Sequence, residues 1–292
     1  MKIILLLLAI ILSASCITPA EAINNQEAEM NYFSFGRGKK TLVIIPGLSV
    51  QSILLFEDII KKSYEIFSED FTVYVIDRKE KIPNSISEMA EDTAQVLREI
   101  RNNTQDFHIF GASQGGMIAM EIAIKYPELV RSMVLGSTSA AAHSELGTGT
   151  ETVTDSETGI EVGVIDKWIK LAEAGSTAAL YQSFGEMLYN QKMDEAAARE
   201  AAKDVTTEDL RRFIIQAKAI KEFNILGELE KIKCPVLVIG SEDDRVLGPE
   251  ASRLIAENIP HSELFMYDGY GHAAYDTAPD YRERMKKFFD EH

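Results

Sequence analysis

The residues with the clearest chemical potential surround Ser113, in the segment Phe110-Gly-Ala-Ser-Gln-Gly-Gly116. This segment fits the pattern G-x-S-x-G, directly after an apolar run that predicts a strand and directly before a pattern that predicts a helix. Such a tight turn holds a serine in a strained conformation that projects its hydroxyl outward, and glycines at 111 and 115 avoid collisions with neighbouring backbone. The spacing therefore predicts that Ser113 is a nucleophile. The alternative is a tight packing turn in a protein that is not an enzyme.

A serine is a poor nucleophile unless a base takes its proton, and the chain contains five histidines. His272 follows a predicted strand in Asp268-Gly-Tyr-Gly-His-Ala273, where the glycines predict a loop at the same sheet edge as Ser113. His108 lies inside a predicted strand and is expected to be a packing residue. The other three lie in an insertion, in a turn and at the chain end: His143, His261 and His292. His272 is therefore predicted to be the general base.

The third group should be a carboxylate at the end of a strand between the serine and the histidine. Glu242, Asp243 and Asp244 follow the predicted strand 236–239. Asp244 is preferred because the residues after it run towards Pro249, as the usual acid loop does, and Asp243 is the alternative. A solvated acidic turn and a calcium loop are the other interpretations. The trio lacks the alternating spacing and the glycine of a calcium loop, so no metal site is predicted.

Two backbone N–H groups should stabilise the oxyanion of an acyl-transfer reaction. One is assigned to Gln114, which follows the nucleophile at a helix N-terminus, where free N–H groups and the positive end of the helix dipole face the charge. The second should come from Pro46-Gly-Leu-Ser49, after the predicted strand 41–45, and is assigned to Leu48 because a preceding glycine lets the backbone turn an N–H inward. Together these residues predict attack of Ser113 on an ester-like carbonyl and a covalent acyl-enzyme.

The elements that must position these residues alternate along the chain. Short apolar runs predict strands covered on both faces, at residues 30–35, 41–45, 71–76, 107–110, 132–135, 236–239 and 264–267. Helical patterns predict helices at residues 87–101, 114–126, 249–258 and 279–291, the last two beginning with proline in the first turn. Strands separated by helices predict an α/β fold, a mostly parallel sheet with helices on both faces.

The alternation stops between residues 137 and 231. Residues 144–163 are rich in Gly, Ser, Thr and Glu and predict a loop, and helical patterns without a convincing strand follow at about 164–174, 177–191, 194–203 and 207–225. The predicted organisation is an α/β core over residues 30–136 and 232–292, with a helical cap over residues 137–231 above the carboxyl edge of the sheet. Its apolar residues line an acyl pocket or pack the cap itself: Trp168, Leu171, Leu180, Tyr181, Phe184, Met187 and Leu188.

The N-terminus differs from the rest of the chain. Lys2 precedes an apolar run over residues 3–12, and small and polar residues continue to Ala20-Glu-Ala22. This pattern is typical of a secretory signal peptide over residues 1–22, and the run is too short to span a membrane. We expect cleavage after Ala22 and export to the periplasm or the medium. A lipoprotein anchored through Cys16 is the alternative.

Composition limits the partners of the chain. It has 292 residues, 46% of them hydrophobic, which suits one domain with an insertion. The 30 basic against 46 acidic residues give a net charge of −16, which argues against nucleic acid and anionic membranes as partners. No dinucleotide fingerprint, P-loop, zinc spacing or H-E-x-x-H occurs, so no cofactor is predicted. After cleavage Cys234 would be unpaired, and it is predicted to be a buried, inert thiol.

The motifs IIPGLS, VIDR, GASQGGMIAMEIAIKYPELVRSMVLGSTS, CPVLVIGSEDDRV and GYGHAA resemble those of the α/β-hydrolase superfamily, in its cap-bearing branch of serine esterases, lactonases and aminopeptidase-like enzymes. The resemblance runs from about Tyr32 to the C-terminus, and the order serine, acid, histidine matches the family. It implies hydrolysis of a small carboxylic ester or a related carbonyl compound, such as a lactone or an amide. The alternative is a non-catalytic protein that binds a small ligand on the same fold.

Two features depart from the family pattern. Many relatives have His-Gly where this chain has Pro46-Gly47, which keeps the amide donor but changes the floor of the pocket. The usual first strands are shortened to one candidate, so the sheet is expected to lack an edge strand.

Overall fold

The computed structural model describes residues 31–101, 106–142, 153–154 and 161–292. Its strands are β1 (Tyr32–Gly36), β2 (Lys40–Ile45), β3 (Phe71–Ile76), β4 (Phe107–Ala112), β5 (Val130–Gly136), β6 (Val153–Thr154), β7 (Glu161–Val162), β8 (Val236–Ser241) and β9 (Ser262–Tyr267). Seven of them form one sheet in the order β1-β3-β2-β4-β5-β8-β9. β1 is antiparallel to β3, and the other pairings in this sheet are parallel. The predicted α/β fold is confirmed, and each of the seven predicted strands corresponds to one strand of this sheet. In the described part of the chain, β1 alone precedes β2.

The α-helices are α1 (Glu57–Ser63), α2 (Ile86–Ile100), α3 (Gln114–Lys125), α4 (Val164–Glu173), α5 (Thr177–Tyr189), α6 (Glu195–Ala201), α7 (Thr207–Lys221), α8 (Pro249–Asn258), α9 (Ala274–Thr277) and α10 (Tyr281–Glu291). Ser85 caps α2, its hydroxyl accepting a hydrogen bond from the Glu88 N–H. The last helix begins two residues later than predicted. Pro279 precedes it, and Asp280 occupies the N-cap position.

Both faces of the sheet are buried, which explains its continuous apolar strands. Along β2, Val43 and Ile45 face a cluster that includes residues of α2, α3 and α8, whereas Leu42 and Ile44 face a second cluster that includes residues of α10. Successive side chains of a strand point to opposite faces, so each strand needs apolar residues at every position. The two clusters fix the sheet as a rigid support for the loops at its carboxyl edge.

A third apolar cluster joins the cap to the sheet edge. Helices α4, α5 and α7 supply most of it, including Trp168, Leu180 and Phe213. The loop after β8 adds Val246 and Leu247. The two-residue strands β6 and β7 pair antiparallel within the segment that was predicted to be a loop. A pairing this short leaves too few residues for an alternating pattern in the sequence. Other parts of the predicted 144–163 loop lie outside the described residues.

The predicted signal peptide over residues 1–22 also lies outside the described residues. Within the described ranges, none of the helices has the length and apolar character that crossing a bilayer requires.

Candidate active site

The turn between β4 and α3 holds Ser113 in an unusual conformation. Its φ and ψ are 51° and −120°, values that non-glycine residues seldom adopt. Its N–H donates to the Gly136 carbonyl at 2.8 Å, and the Thr138 hydroxyl donates to the Ser113 carbonyl at 2.6 Å. A Cβ on Gly115 would lie 1.9 Å from the Ile45 carbonyl oxygen. Contacts from β2 and β5 thus hold the strained serine at the carboxyl edge of the sheet.

The predicted base and acid are in direct contact. His272 Nδ1 lies 2.8 Å from Asp244 Oδ2, and both side chains are buried, with 1% and 3% of their surface exposed. The other carboxylate oxygen, Oδ1, accepts hydrogen bonds from the N–H groups of Val246 at 2.9 Å and Leu247 at 3.0 Å. These amides fix the carboxylate and leave Oδ2 for the imidazole. An Nδ1–H that donates to Oδ2 leaves Nε2 free to accept a proton.

The three consecutive carboxylates after β8 have three different partners. Glu242 forms an ion pair with an arginine of α8. Asp243 accepts a hydrogen bond from the Gly269 N–H at 2.7 Å. Of the two acids left open by the sequence, the structure therefore brings Asp244, and not Asp243, to His272.

The two predicted oxyanion donors belong to the two segments next to the serine, the start of α3 and the loop after β2. Gln114 is the first residue of α3, where a backbone N–H has no intrahelical acceptor. Leu48 contributes to the wall of the cavity that contains Ser113. The loop that carries Leu48 passes close to the nucleophile, since a Cβ on Gly47 would lie 3.1 Å from Ser113 Cβ and 3.7 Å from its Oγ.

A cavity of about 260 Å³ lies between the sheet edge and the cap. Ser113 and His272 are both in its wall. Its aromatic lining consists of Phe56, Trp168, Tyr181, Phe184, Tyr189, Phe213 and Tyr275. Among the described residues of the wall, His272 is the only histidine, and none is a lysine, an arginine, an aspartate or a glutamate. The site therefore offers a mostly apolar chamber whose wall contains one imidazole and several hydroxyls, that of Ser113 among them.

The cap residues predicted to line a pocket divide into two groups. Four are in the wall of the cavity: Trp168, Tyr181, Phe184 and Leu188. Leu180 and Met187 are instead completely buried in the cap cluster, and Leu171 packs against that cluster. A larger depression of about 960 Å³ lies at the other edge of the sheet, beside Gly36, and contains neither Ser113 nor His272.

The end of α5 is attached to the catalytic loops. The Leu188 carbonyl accepts a hydrogen bond from the Ala273 N–H at 2.9 Å, directly after His272. The Asn190 side chain donates to the Asp243 carbonyl at 3.1 Å. A Cβ on Gly271 would lie 2.5 Å from the Leu188 carbonyl oxygen, so the glycine allows this close approach. Sequence reasoning missed these contacts, because no local pattern links a cap helix to the histidine loop.

A buried acid lies near this junction. The Tyr189 hydroxyl donates to Asp276 Oδ2 at 3.2 Å. Burial raises the pKa of Asp276 above its usual value, although the charge of Arg282, the bond from Tyr189 and the charge of His272 oppose that rise. Burial likewise raises the pKa of Tyr189. Asp276 is thus a second carboxylate near the imidazole, and no motif in the sequence marks it.

His108, His261, His292 and Cys234 are not in the described wall of the cavity. His108 is buried in β4, with Nδ1 2.9 Å from Ser132 Oγ, and burial lowers its pKa to about 4. His143 lies outside the described residues, and the other two are His261 and His292. Cys234 is half-buried rather than fully buried as predicted; desolvation still raises the pKa of its thiol to about 11, which makes its thiolate scarce at neutral pH.

Comparison with protein families identifies one match over most of the chain. The family model described as "Serine aminopeptidase, S33" matches residues 39–276. Among curated proteins, one similar to this chain is RutD of Agrobacterium fabrum, which is named for carbamate hydrolysis. It is 29% identical over 213 residues, which cover 70% of this chain and 74% of that protein.

Solved structures share the fold at lower sequence identity. An α/β-hydrolase enzyme from a Medee basin deep-sea metagenome library superposes with a TM-score of 0.73 and 21% identity, covering 89% of this chain and 94% of its own. The enol-lactonase of Burkholderia xenovorans gives a TM-score of 0.69 and 16% identity, covering 89% and 96%. These likenesses establish the architecture of the chain.

Proposed function

Because the chain belongs to the S33 serine aminopeptidase family of α/β-hydrolase enzymes, we propose that it hydrolyses a small, uncharged carboxylic ester or lactone through an acyl-enzyme on Ser113. The catalytic residues in this proposal are Ser113, His272 and Asp244. The amides of Leu48 and Gln114 form the oxyanion hole.

The apolar cavity is the observation that carries this proposal. Burying an unpaired ammonium or carboxylate group costs several kcal/mol, so a site for a charged substrate needs a partner of opposite charge. The described wall of the cavity offers no such carboxylate, lysine or arginine. An aminopeptidase substrate brings a free ammonium group, for which the described wall offers no carboxylate partner. The volume of about 260 Å³ lies slightly below the usual range of ligand pockets, roughly 300–1,000 Å³, and favours a small substrate.

The reaction would follow the two-step course of acyl transfer. Nε2 of His272 takes the proton of Ser113 as its oxygen attacks the carbonyl carbon, and the two amides receive the negative charge of the tetrahedral intermediate. The protonated imidazole then gives its proton to the leaving alkoxide. In the second step His272 activates a water molecule that releases the acid. Asp244 holds the imidazole in the required tautomer and stabilises its charged form.

A substrate series tests this function directly. Hydrolysis rates are measured for p-nitrophenyl acetate, butyrate and octanoate, for small lactones, and for aminoacyl p-nitroanilides. The proposal expects the esters or lactones to have the highest kcat/KM, and expects Ser113→Ala to reduce kcat by at least about 10⁴-fold without unfolding. Faster cleavage of the anilides would favour an amide substrate. A chain that binds these esters without hydrolysing them would be a ligand-binding protein.

Ser137→Ala is the matched control for Ser113→Ala. Ser137 directly follows the neighbouring strand β5, is buried, and also has a positive φ, 43°. It is not in the wall of the cavity. Its replacement should therefore leave the ester hydrolysis rate within about threefold of wild type, on the scale of a substitution away from the reacting atoms.

We also propose that the protein is exported after removal of residues 1–22, on the basis of the apolar run and the small residues that end at Ala22. N-terminal sequencing of the exported protein should begin at Ile23. A mature protein that begins at a lipidated Cys16 would indicate anchoring as a lipoprotein, and one that begins at Met1 would exclude the signal peptide.

A further inference from the structure

We propose that Arg78 is a positioning residue for the oxyanion hole. Its guanidinium joins the loop that carries the Leu48 amide to the helix that begins with the Gln114 amide. The inference rests on the proposed function, since it takes these two amides as the groups that bind the oxyanion.

One nitrogen of Arg78 connects the two sides. Arg78 follows β3 by two residues, and only 4% of its surface is exposed. Its Nη2 donates to the Pro46 carbonyl at 2.7 Å and to the side-chain oxygen of Gln114 at 3.4 Å. Pro46 opens the loop with the Leu48 amide, and Gln114 opens α3. The shorter contact is charge-assisted and fixes the start of the loop, whereas the longer one is weak on its own.

A cap helix completes this arrangement. The Gln114 side chain also donates to the Gln216 carbonyl in α7 at 2.8 Å, and the Gln216 side chain donates back to the Ser49 carbonyl at 3.2 Å. The oxyanion loop is therefore held at both ends, at Pro46 by Arg78 and at Ser49 by Gln216. Gln114 and Gln216 are almost completely buried, with 0% and 2% of their surface exposed, so water competes little for these bonds.

The charge of Arg78 is retained within this network. Burial lowers its pKa to about 10, and the neighbouring Asp77 carboxylate acts in the opposite direction. Asp77 is itself held by the Ser52 hydroxyl and by the Arg78 N–H. Asp77 supplies a nearby negative charge and the Pro46 carbonyl accepts a hydrogen bond from Nη2, whereas Nε has no hydrogen-bond partner in the described structure. A neutral side chain at this position would leave the Pro46 carbonyl without its donor.

The network has a specific consequence for catalysis. Oxyanion donors act by being fixed before the charge develops, and loss of one donor typically lowers kcat by about 10²–10³-fold. Arg78 does not donate to the oxyanion itself. Its loss would loosen the loop after Pro46 and so misplace the Leu48 amide, one of the two donors. We therefore expect Arg78→Met to lower kcat about 10-fold to 100-fold while KM changes less than threefold, because the apolar cavity is unaltered.

Arg212→Met is the matched control. Arg212 in α7 donates to the carbonyls of Lys79 and Glu80, at 2.9 and 2.6 Å, but its side chain contacts neither the oxyanion loop nor Gln114 in the described structure. Arg212→Met therefore removes a guanidinium group that binds backbone carbonyls, as Arg78→Met does. The carbonyls that it binds lie just after β3 and not in the oxyanion loop. Its kcat should stay within about threefold of wild type, even if its Tm falls as far as that of Arg78→Met.

A transition-state analogue separates positioning from a general structural effect. An alkyl boronic acid forms a tetrahedral adduct on the serine, whereas an alkyl ketone of the same chain length occupies the cavity as a ground-state ligand. In Arg78→Met the inhibition constant of the boronic acid should rise 10-fold to 100-fold, in parallel with the loss of kcat, and that of the ketone should change less than threefold.

Three results would overturn the inference. They are a kcat within threefold of wild type, an equal weakening of both inhibitors, and an equal loss of activity in Arg212→Met. If Arg78→Met does not fold, Gln216→Ala decides in its place, since it frees the Ser49 end of the loop and should lower kcat about tenfold. A wild-type enzyme that hydrolyses no ester or lactone would instead refute the proposed function, before any variant is compared.

Discussion

Replacement of Asp244 by asparagine tests the orientation of the imidazole. In the structure Oδ1 of Asp244 accepts two backbone N–H bonds, from Val246 and Leu247, and Oδ2 meets Nδ1 of His272. An asparagine would keep its carbonyl oxygen towards the two N–H groups, because an amide NH₂ cannot accept from them. Its NH₂ would then face the imidazole and donate to Nδ1. The proton of the neutral imidazole would move to Nε2, the atom that must act as the base.

The size of the effect follows from this tautomer. The same substitution in a serine protease, which keeps its geometry but adopts the wrong tautomer, lowers kcat about 10⁴-fold. We expect a loss of similar size here, equivalent to about 5 kcal/mol of transition-state stabilisation at 1.36 kcal/mol per tenfold. The assay is kcat for p-nitrophenyl butyrate at pH 7, with circular dichroism to show that the variant is folded.

Asp243→Asn provides the comparison for this variant. Asp243 accepts one N–H bond, from Gly269, and an asparagine carbonyl oxygen can accept the same bond. Its activity should remain within about threefold of wild type. The reasoning would be refuted by an Asp244→Asn variant that keeps more than a tenth of wild-type kcat, or by equal losses in the two variants.

Further predictions concern packing, pH dependence and chain-length preference. Gly115→Ala places a Cβ 1.9 Å from the Ile45 carbonyl oxygen, so we expect a loss of about 3 kcal/mol or more in the free energy of unfolding, and unchanged urea unfolding would contradict that contact. His108 has a pKa of about 4 in the folded chain and about 6.5 in the unfolded chain. Between pH 4 and pH 6.5 its imidazole is therefore protonated in the unfolded chain but largely neutral in the folded chain. Stability should therefore fall by up to about 3 kcal/mol as the pH drops from 6.5 to 4, and urea midpoints for His108→Gln should lack this part of the decline. Phe184 lies in the wall of the cavity and packs on Trp168, with ring centroids 4.9 Å apart. Phe184→Ala should therefore enlarge the cavity and raise the ratio of kcat/KM for p-nitrophenyl octanoate to that for the butyrate about tenfold. An unaltered ratio would exclude Phe184 as the residue that limits acyl chain length.

The parallel sheet was predictable because its strands are covered on both faces. Burial on both faces produces uninterrupted apolar runs, and each run in the sequence corresponds to a strand. Helix α1 is different, since none of its seven residues is fully buried, and its sequence therefore carries no clear apolar stripe. The hairpin of β6 and β7 was missed because two residues per strand are too few to show a period.

Residues of the candidate site could be proposed from sequence where each follows a strand. Ser113, Asp244 and His272 come after β4, β8 and β9, and carboxyl ends of parallel strands meet at one edge of the sheet. Contacts between distant loops leave no such signal. Arg78 meets Pro46 across 32 positions and Gln114 meets Gln216 across 102, and neither pair has a spacing that marks it. Their part in the site follows from packing of the cap on the core, which local patterns do not encode.

The covalent intermediate on Ser113 is the central claim, and mapping a fluorophosphonate adduct by mass spectrometry tests it most directly. We predict one adduct per chain, located on Ser113, present in Ser137→Ala and absent in Ser113→Ala. An adduct on another residue, or ester hydrolysis by a chain that takes up no label, would contradict the claim.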